Sequence, residues 1–384
     1  MVSLVRRGVP MRQVARRFGV SLPTVQFWCR RAGDRRLDRV DFSDRPPVCS
    51  RPANRCDEAI EDLILSLRAD LKKHSDLGEF GAAAILRQLN SIGVSPRPSL
   101  RTIGRVLERR GALDGRRRIR YLPPPIGWHL PSLASKTAEL DSFDIVEDLA
   151  IERGPQVDVL NGISIFGGLP ASFPSDGITA ETAMHCILDH WREFGLPDFA
   201  QFDNDTRFLG PQNHLDVLGR VPRMCLSLSV IPVFAPPREP GFQNSIESFN
   251  GRWQSKVWCR FHFPSLAALQ QQSDRFIHAV RERAAHRQEW APIRRPFPTP
   301  WTLDLQQAPR GTVIFLRRAD AHGNVQFFGR QFHVSSHWPH RLVRAEVLLS
   351  ENTILFFALR RRSPKDQPIL AKIPFSLKTR SKFL

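Results

Sequence analysis

Three short segments place carboxylates where a solvated surface acid is not the ordinary expectation. Glu139-Leu140-Asp141-Ser142-Phe143-Asp144-Ile145-Val146 alternates like a strand, with Leu140 and Ile145 at packing positions and acids between them. Phe199-Ala200-Gln201-Phe202-Asp203-Asn204-Asp205 is an apolar strand running straight into acids, and a strand that ends in a carboxylate is where open α/β sheets place ligands. Glu247 sits near the start of a helix in which Ile246, Phe249 and Trp253 share one face. Hard cations such as Mg²⁺ and Mn²⁺ prefer oxygen ligands, and phosphodiester chemistry uses two of them roughly 3.5 to 4 Å apart. One aspartate of the first strand, Asp203 and Glu247 can together hold both ions. Asp141 and Asp144 face opposite sides of a regular strand, so only one of them can serve unless the strand bulges. Taken singly, each acid reads equally well as a partner for one of the abundant arginines.

Acids from separate segments converge only if a layered core brings them together, and the chain is organised to supply one. Pro- and Arg-rich stretches at Ser43 to Asn54, Arg116 to Pro131 and Arg294 to Pro309 divide it into four zones. The expected fold is multidomain: all-α helix-turn-helix modules over residues 1–42 and 56–115, a central α/β core over 132–295, and a small C-terminal β-barrel over 308–375. Within the core, strands are expected at Val157 to Leu160 and Gly162 to Phe166, then a helix capped by Thr179 and stopped by Gly195. A further core helix starts at Ser265. The barrel strands are read at Thr312 to Leu316, Val325 to Phe328, Phe332 to Val334, Leu342 to Val347 and Ile354 to Phe357.

In the first zone Met11, Val14, Ala15 and Phe18 form one helical face, Gly19 permits a sharp turn, and Ser21 can cap the next helix. Thr24, Gln26, Arg30 and Arg31 are then expected to point outward, where base edges and phosphates would lie. In the second, Ser99 can cap a helix with Leu100, Ile103 and Leu107 on one face and Arg101, Arg105, Arg109 and Arg110 on the other. Arg116, Arg117 and Arg118 continue the basic surface. The whole chain of 384 residues carries 56 Lys and Arg against 38 Asp and Glu, a formal charge of +18, which points to a polyanion as partner. No apolar run is long enough to span a bilayer and no secretion signal is read, so a cytosolic protein is expected. The six cysteines show no Cys-x-x-Cys pair and read as reduced, mostly buried thiols, and the glycines form no phosphate-binding loop.

In these surroundings the acidic segments resemble the catalytic core of retroviral integrases and bacterial insertion-sequence transposases. Leu140-Asp141 followed by a hairpin is similar to the family's first acidic strand, and Asp203-Asn204-x-x-x-Phe208 to its Asp-Asn-Gly-x-x-Phe element. Gln243-Asn244-Ser245-Ile246-Glu247-Ser248-Phe249-Asn250 is similar to its Gly-x-x-Glu-Arg-x-Asn helix. The likeness is strongest from about Leu140 to Trp253 and implies a ribonuclease-H-like core. It further implies Asp141, Asp203 and Glu247 as catalytic residues and ligands of two Mg²⁺ (or Mn²⁺) ions, driving DNA end cleavage and strand transfer. The implied partners are double-stranded DNA, as element ends and target, and further copies of the chain on that DNA, with no nucleotide cofactor and no membrane. The implied location is the cytoplasm, on the bacterial nucleoid when DNA is bound.

Three departures stand against the family pattern. Asp203 and Glu247 are separated by 43 residues, more than the family's usual gap, which an insertion near Pro211 to Leu218 would explain. Asp205 replaces a glycine and offers a rival ligand, and Ser245 stands where a glycine is common. Asp141 aligns best as first acid, with Asp144 as its rival. The alternative function is a catalytically decayed, sequence-specific DNA-binding protein; a ribonuclease acting on RNA–DNA hybrids is a third reading.

Overall fold

Val14 and Val25 have no exposed surface, and with Ala15 they pin two short helices against each other. The structure, a computed structural model, describes residues 1–43, 56–113, 126–152, 154–210, 215–239, 241–361 and 365–377; Arg116, Arg117 and Arg118 lie outside the described residues. The chain divides into two units, Met1–Asp62 and Leu63–Leu384. The first contains α1 (Val2–Arg6), α2 (Met11–Phe18) and α3 (Leu22–Ala32). Gly19 closes α2 at φ 64°, a left-handed conformation that side chains disfavour, and Ser21 caps α3 by accepting the Thr24 N–H. Gln26 and Arg30 are exposed as expected. Thr24 is half-buried, its hydroxyl 2.8 Å from that of Ser21. Arg31 departs from the outward orientation expected of it. Its guanidinium lies 5.1 Å from the Trp28 ring centre and 3.7 Å from Asp41, leaving 10% of the side chain exposed. Stacking on indole and the nearby carboxylate hold it against the module instead of toward a ligand.

The next helices are α4 (Glu58–His74), α5 (Ala82–Ser91) and α6 (Leu100–Arg109). Ser99 caps α6 through the Thr102 N–H, Ile103, Val106 and Leu107 are buried, and Arg101, Arg105 and Arg109 are exposed on the other side. The core follows, with α7 (Pro131–Ala134), β1 (Leu140–Ala150), β2 (Gln156–Ser164), β3 (Pro170–Ser175) and α8 (Ala180–Phe194). Then come β4 (Phe199–Phe202), α9 (Thr206–Leu209), α10 (Arg220–Ser227), β5 (Ile231–Phe234), α11 (Asn244–Trp253) and α12 (Leu266–Gln288). A π-helical turn, Gln254–Trp258, extends α11. The two strands expected on either side of Asn161 are one strand, β2. Its neighbour β3 escapes a pattern-based reading because it contains Pro170 and Pro174, which an edge strand tolerates.

The C-terminal strands, expected as a small barrel, are continuous with the core sheet. Strands β6 (Thr312–Arg318), β7 (Asn324–Phe327), β8 (Arg330–His333), β9 (Leu342–Leu348), β10 (Thr353–Ala358) and β11 (Ile369–Pro374) form as the alternation predicts, apart from β11, which it misses. β6 pairs antiparallel with β9 of its own zone along its whole length, and in parallel with β5 of the core at Ile314 and Phe315. The described strands thus make a nine-stranded mixed sheet in the order β11-β10-β9-β6-β5-β4-β1-β2-β3, with β7 and β8 as a separate hairpin. Phe143, Phe202, Phe234 and Phe315 form a ring ladder across β1, β4, β5 and β6, with successive centroids 5.9, 6.1 and 5.1 Å apart. Adjacent aromatic pairs on one sheet face favour that continuation.

The second helical zone is bonded to the core. Lys256 of the π-turn donates to Gly78 O (3.0 Å), Arg260 donates to Ser75 O and Lys73 O, and Arg283 of α12 pairs with Glu79. Residues 63–113 fall in one unit with the core. Of the described cysteines only Cys225 is fully buried, and Cys259 is exposed, so the expectation of mostly buried thiols is not met. No helix among the described residues is long and apolar enough to cross a membrane.

Candidate active site

Strand alternation decides which first-strand acid meets the others. From Leu140 to Val146, β1 pairs with β2 without a bulge, so Asp141, Phe143 and Ile145 face one side and Leu140, Asp144 and Val146 the other. Phe143 packs with Trp191 of α8, whereas Val146 packs with Ile246, Phe249 and Trp253 of α11. Asp144 therefore lies on the face that α11 covers. Asn250 of α11 donates from Nδ2 to Asp144 Oδ2 (2.8 Å), and its Oδ1 accepts from Asn161 Nδ2 (2.9 Å), the residue directly opposite Asp144 on β2. Glu247 is three residues before Asn250 and so shares its helical face. Asp203 follows the last residue of β4, which runs parallel to β1.

Burial, then the charge of Asp203, then that of Glu247, push the Asp144 carboxyl up to about 6 despite the Asn250 hydrogen bond. Asp203 is also raised, chiefly by burial, with the Asp205 N–H (3.0 Å) and Arg207 opposing the rise. Among the described residues none of the three forms an ion pair with Lys, Arg or His, although the chain has an excess of such cations. Asp144 and Asp203 are half-buried and Glu247 is exposed, and neighbouring carboxylates of this kind suit a hard divalent ion. Among the described residues no group of three or more His, Cys, Asp or Glu is placed closely enough to hold a metal ion.

Asp141 is placed elsewhere. It has no exposed surface, and Arg294 grips it with two bonds, Nη1 to Oδ1 at 2.8 Å and Nη2 to Oδ2 at 2.7 Å; Trp191 Nε1 donates to Oδ2 at 2.9 Å. Burial opposes its ionisation, but Arg294 and Trp191 outweigh it and hold the carboxyl below its ordinary value. His190, 3.8 Å away, is kept neutral by burial, with a pKa of about 4. A carboxylate whose lone pairs face a bidentate guanidinium and an indole is not free to ligate a metal. The structure thus places Asp141, the preferred first acid, in a buried ion pair, and its rival Asp144 on the face that α11 covers.

The rivalry of Asp205 also resolves. It caps α9 through the Arg207 N–H (2.7 Å) and binds the Arg207 guanidinium at 2.9 and 2.7 Å, and that hydrogen bonding holds its carboxyl low. Between Asp203 and Glu247 lie α9, α10 and β5, and in residues 215–218, the described part of the expected insertion, Asp216 is buried against Arg330. Sequence reasoning missed Arg294, which it assigned to a linker, and Asn161, whose place depends on the β1–β2 register. Asn250 was legible in part, as a residue one turn after Glu247.

No protein-family model and no curated protein matches the chain. Among solved structures it is similar to a chain in the simian T-cell lymphotropic virus intasome in complex with PP2A regulatory subunit B56 gamma: 15% identity, TM-score 0.33, covering 77% of this chain and 93% of that one. The catalytic core domain of BIV integrase follows at 16% identity and TM-score 0.27, over 35% of this chain and 80% of that one. The HTLV-2 integrase catalytic core domain in complex with magnesium gives 14% identity and TM-score 0.26, over 41% and 86%. At such TM-scores these likenesses assign no residue and no activity to this chain.

Proposed function

We propose that the chain is a transposase or integrase that cuts and joins DNA strands with two Mg²⁺ or Mn²⁺ ions held by Asp144, Asp203 and Glu247. The observation that carries this reading is that Asp203 at the end of β4 and Glu247 of α11 lie near enough to Asp144 of β1 for their charges to help burial raise it to about 6. When bound, the ions would activate the attacking oxygen and stabilise the leaving one. The protein's own contribution is placement. Asn250 and Asn161 fix the Asp144 carboxylate, and the Asp205 N–H steers Asp203. In a strand-transfer assay with duplex ends and Mn²⁺, Asp203→Asn and Glu247→Gln should each remove joined product; undiminished joining in both would sink the reading. Joining two ends in one reaction calls for a multimer on DNA, which belongs to the same proposal.

Ligation requires the deprotonated carboxylate. Asp144 is protonated below about pH 6, so Mn²⁺ affinity should fall steeply as pH drops through 6 and level off above 7. Water-proton relaxation titrations between pH 5 and 8 would show this step, and a flat profile would contradict the assigned environment of Asp144.

DNA contacts are proposed on the exposed faces of α3 and α6, through Gln26 and Arg30 in the first unit and Arg101, Arg105 and Arg109 in the second. Replacing those last three by Ala should weaken binding to all duplexes and lower the slope of log K against log salt by roughly one for each phosphate no longer neutralised. Fluorescence anisotropy over a salt series checks this. One observation favours the second reading, a DNA-binding protein that no longer cuts: the acids are not gathered tightly around a common point. Any Asp203-dependent joined product eliminates it.

A further inference from the structure

Arg317 of β6 is an unusual residue to bury. It has 6% exposure, and burial pushes its pKa down to about 9. Its hydrogen-bond acceptors are neutral oxygens: Gln326 O at 3.1 Å, Leu316 O at 2.8 Å, Ala235 O at 3.2 Å and Asn204 Oδ1 at 2.7 Å. A desolvated guanidinium without a carboxylate is a costly way to join strands, and an apolar residue would pack there at less expense. What it supplies is direction. Asn204 follows Asp203, and its amide is fixed at both ends: Oδ1 accepts from Arg317 while Nδ2 donates to Ala235 O at 2.7 Å. Arg317 also reaches that same Ala235 carbonyl, so one guanidinium clamps the turn after β4 onto the end of β5. Ala235 N in turn donates to Phe202 O at 3.0 Å, which prolongs the sheet up to Asp203.

We propose that Arg317 is a positioning residue which, through Asn204, fixes the turn from which Asp203 reaches a metal ion. The proposal rests on the assignment of Asp203 as a ligand. It gives the C-terminal zone a role within the active centre: β6 joins the core sheet because the catalytic turn is braced from it. Outer partners that orient a ligand change metal affinity by roughly 10–100-fold when removed.

The test is Mn²⁺ titration of the full chain by water-proton relaxation, beside thermal melting, for wild type, Asp203→Asn, Arg317→Met, Arg317→Lys, Asn204→Ala and the Arg317→Met/Asn204→Ala pair. Arg317→Met and Asn204→Ala should each weaken Mn²⁺ about tenfold or more, the pair no further than the worse single variant, and Arg317→Lys should recover part of the affinity. If Arg317→Met does not fold, Asn204→Ala and Arg317→Lys carry the same comparison. Variants with lowered melting temperature but wild-type Mn²⁺ affinity would overturn the proposal and leave the metal site standing. Wild-type Mn²⁺ binding that does not depend on Asp203 would sink both.

Discussion

Asp144→Asn is expected to lower strand joining by about a thousandfold or more, roughly 4 kcal/mol of barrier, while making the metal-free protein more stable at pH 7. The two effects have one cause. The Asp144 carboxyl stands at about 6 in the folded chain against an ordinary 3.8, so ionisation is disfavoured by folding. For a carboxyl raised on folding, the destabilisation is absent below about pH 4, grows as pH rises from there, and is complete above 6. Removing the charge at pH 7 should recover on the order of 2 kcal/mol, since one pKa unit corresponds to about 1.4 kcal/mol and the site is partly hydrated. Asparagine keeps the shape and can still accept from Asn250. Measured together, joining rate and melting temperature should move in opposite directions. An active Asp144→Asn variant would exclude Asp144 as a ligand, and an active-but-destabilised one would also contradict its electrostatic setting.

Asp141→Asn should behave in the reverse sense. It leaves Arg294, with 11% of its side chain exposed, facing a neutral amide where two charge-assisted bonds were. Breaking one partner of a buried pair costs about 3–5 kcal/mol because the surviving charge is uncompensated. Asp141→Leu/Arg294→Met removes both charges and should recover much of that loss. The pH dependence also has the opposite sign. Asp141 is depressed on folding, so its contribution is present above the ordinary carboxylate range and is lost only as pH falls through its lowered value. Urea unfolding at pH 7 and at pH 3 checks both statements. If Asp141→Asn is as stable as wild type yet cannot join strands, Asp141 acts in chemistry and its assignment to a structural pair fails.

The elements that carry the acids were largely legible. Thr179 caps α8 through the Thr182 N–H and Gly195 ends it, as the residue types predict, because capping depends on neighbours within a turn. Asp203 after β4 and Glu247 in the first turn of α11 were readable for the same reason. Alternation along β1 made Asp141 and Asp144 mutually exclusive. It could not say which face the later helix would cover, since α11 reaches β1 from about a hundred residues downstream. The continuity of the C-terminal strands with the core was hidden in the same way: the pattern of β6 marks a strand but not that β5 of the core lies on one side of it and β9 on the other.

By itself the sequence determined the basic character of the chain, most of its strands and helices, and the places of Asp203 and Glu247 on them, because charge, periodicity and capping are local properties. Only the tertiary structure decided that Asp144 feels the charges of Asp203 and Glu247, that Asp141 belongs to a buried pair with Arg294, and that Arg317 of β6 bonds to Asn204 in the turn after β4. Those outcomes hang on strand register, on which face a distant helix packs, and on where a buried guanidinium finds its oxygens. Such interactions join residues far apart in the chain, and no local pattern encodes them.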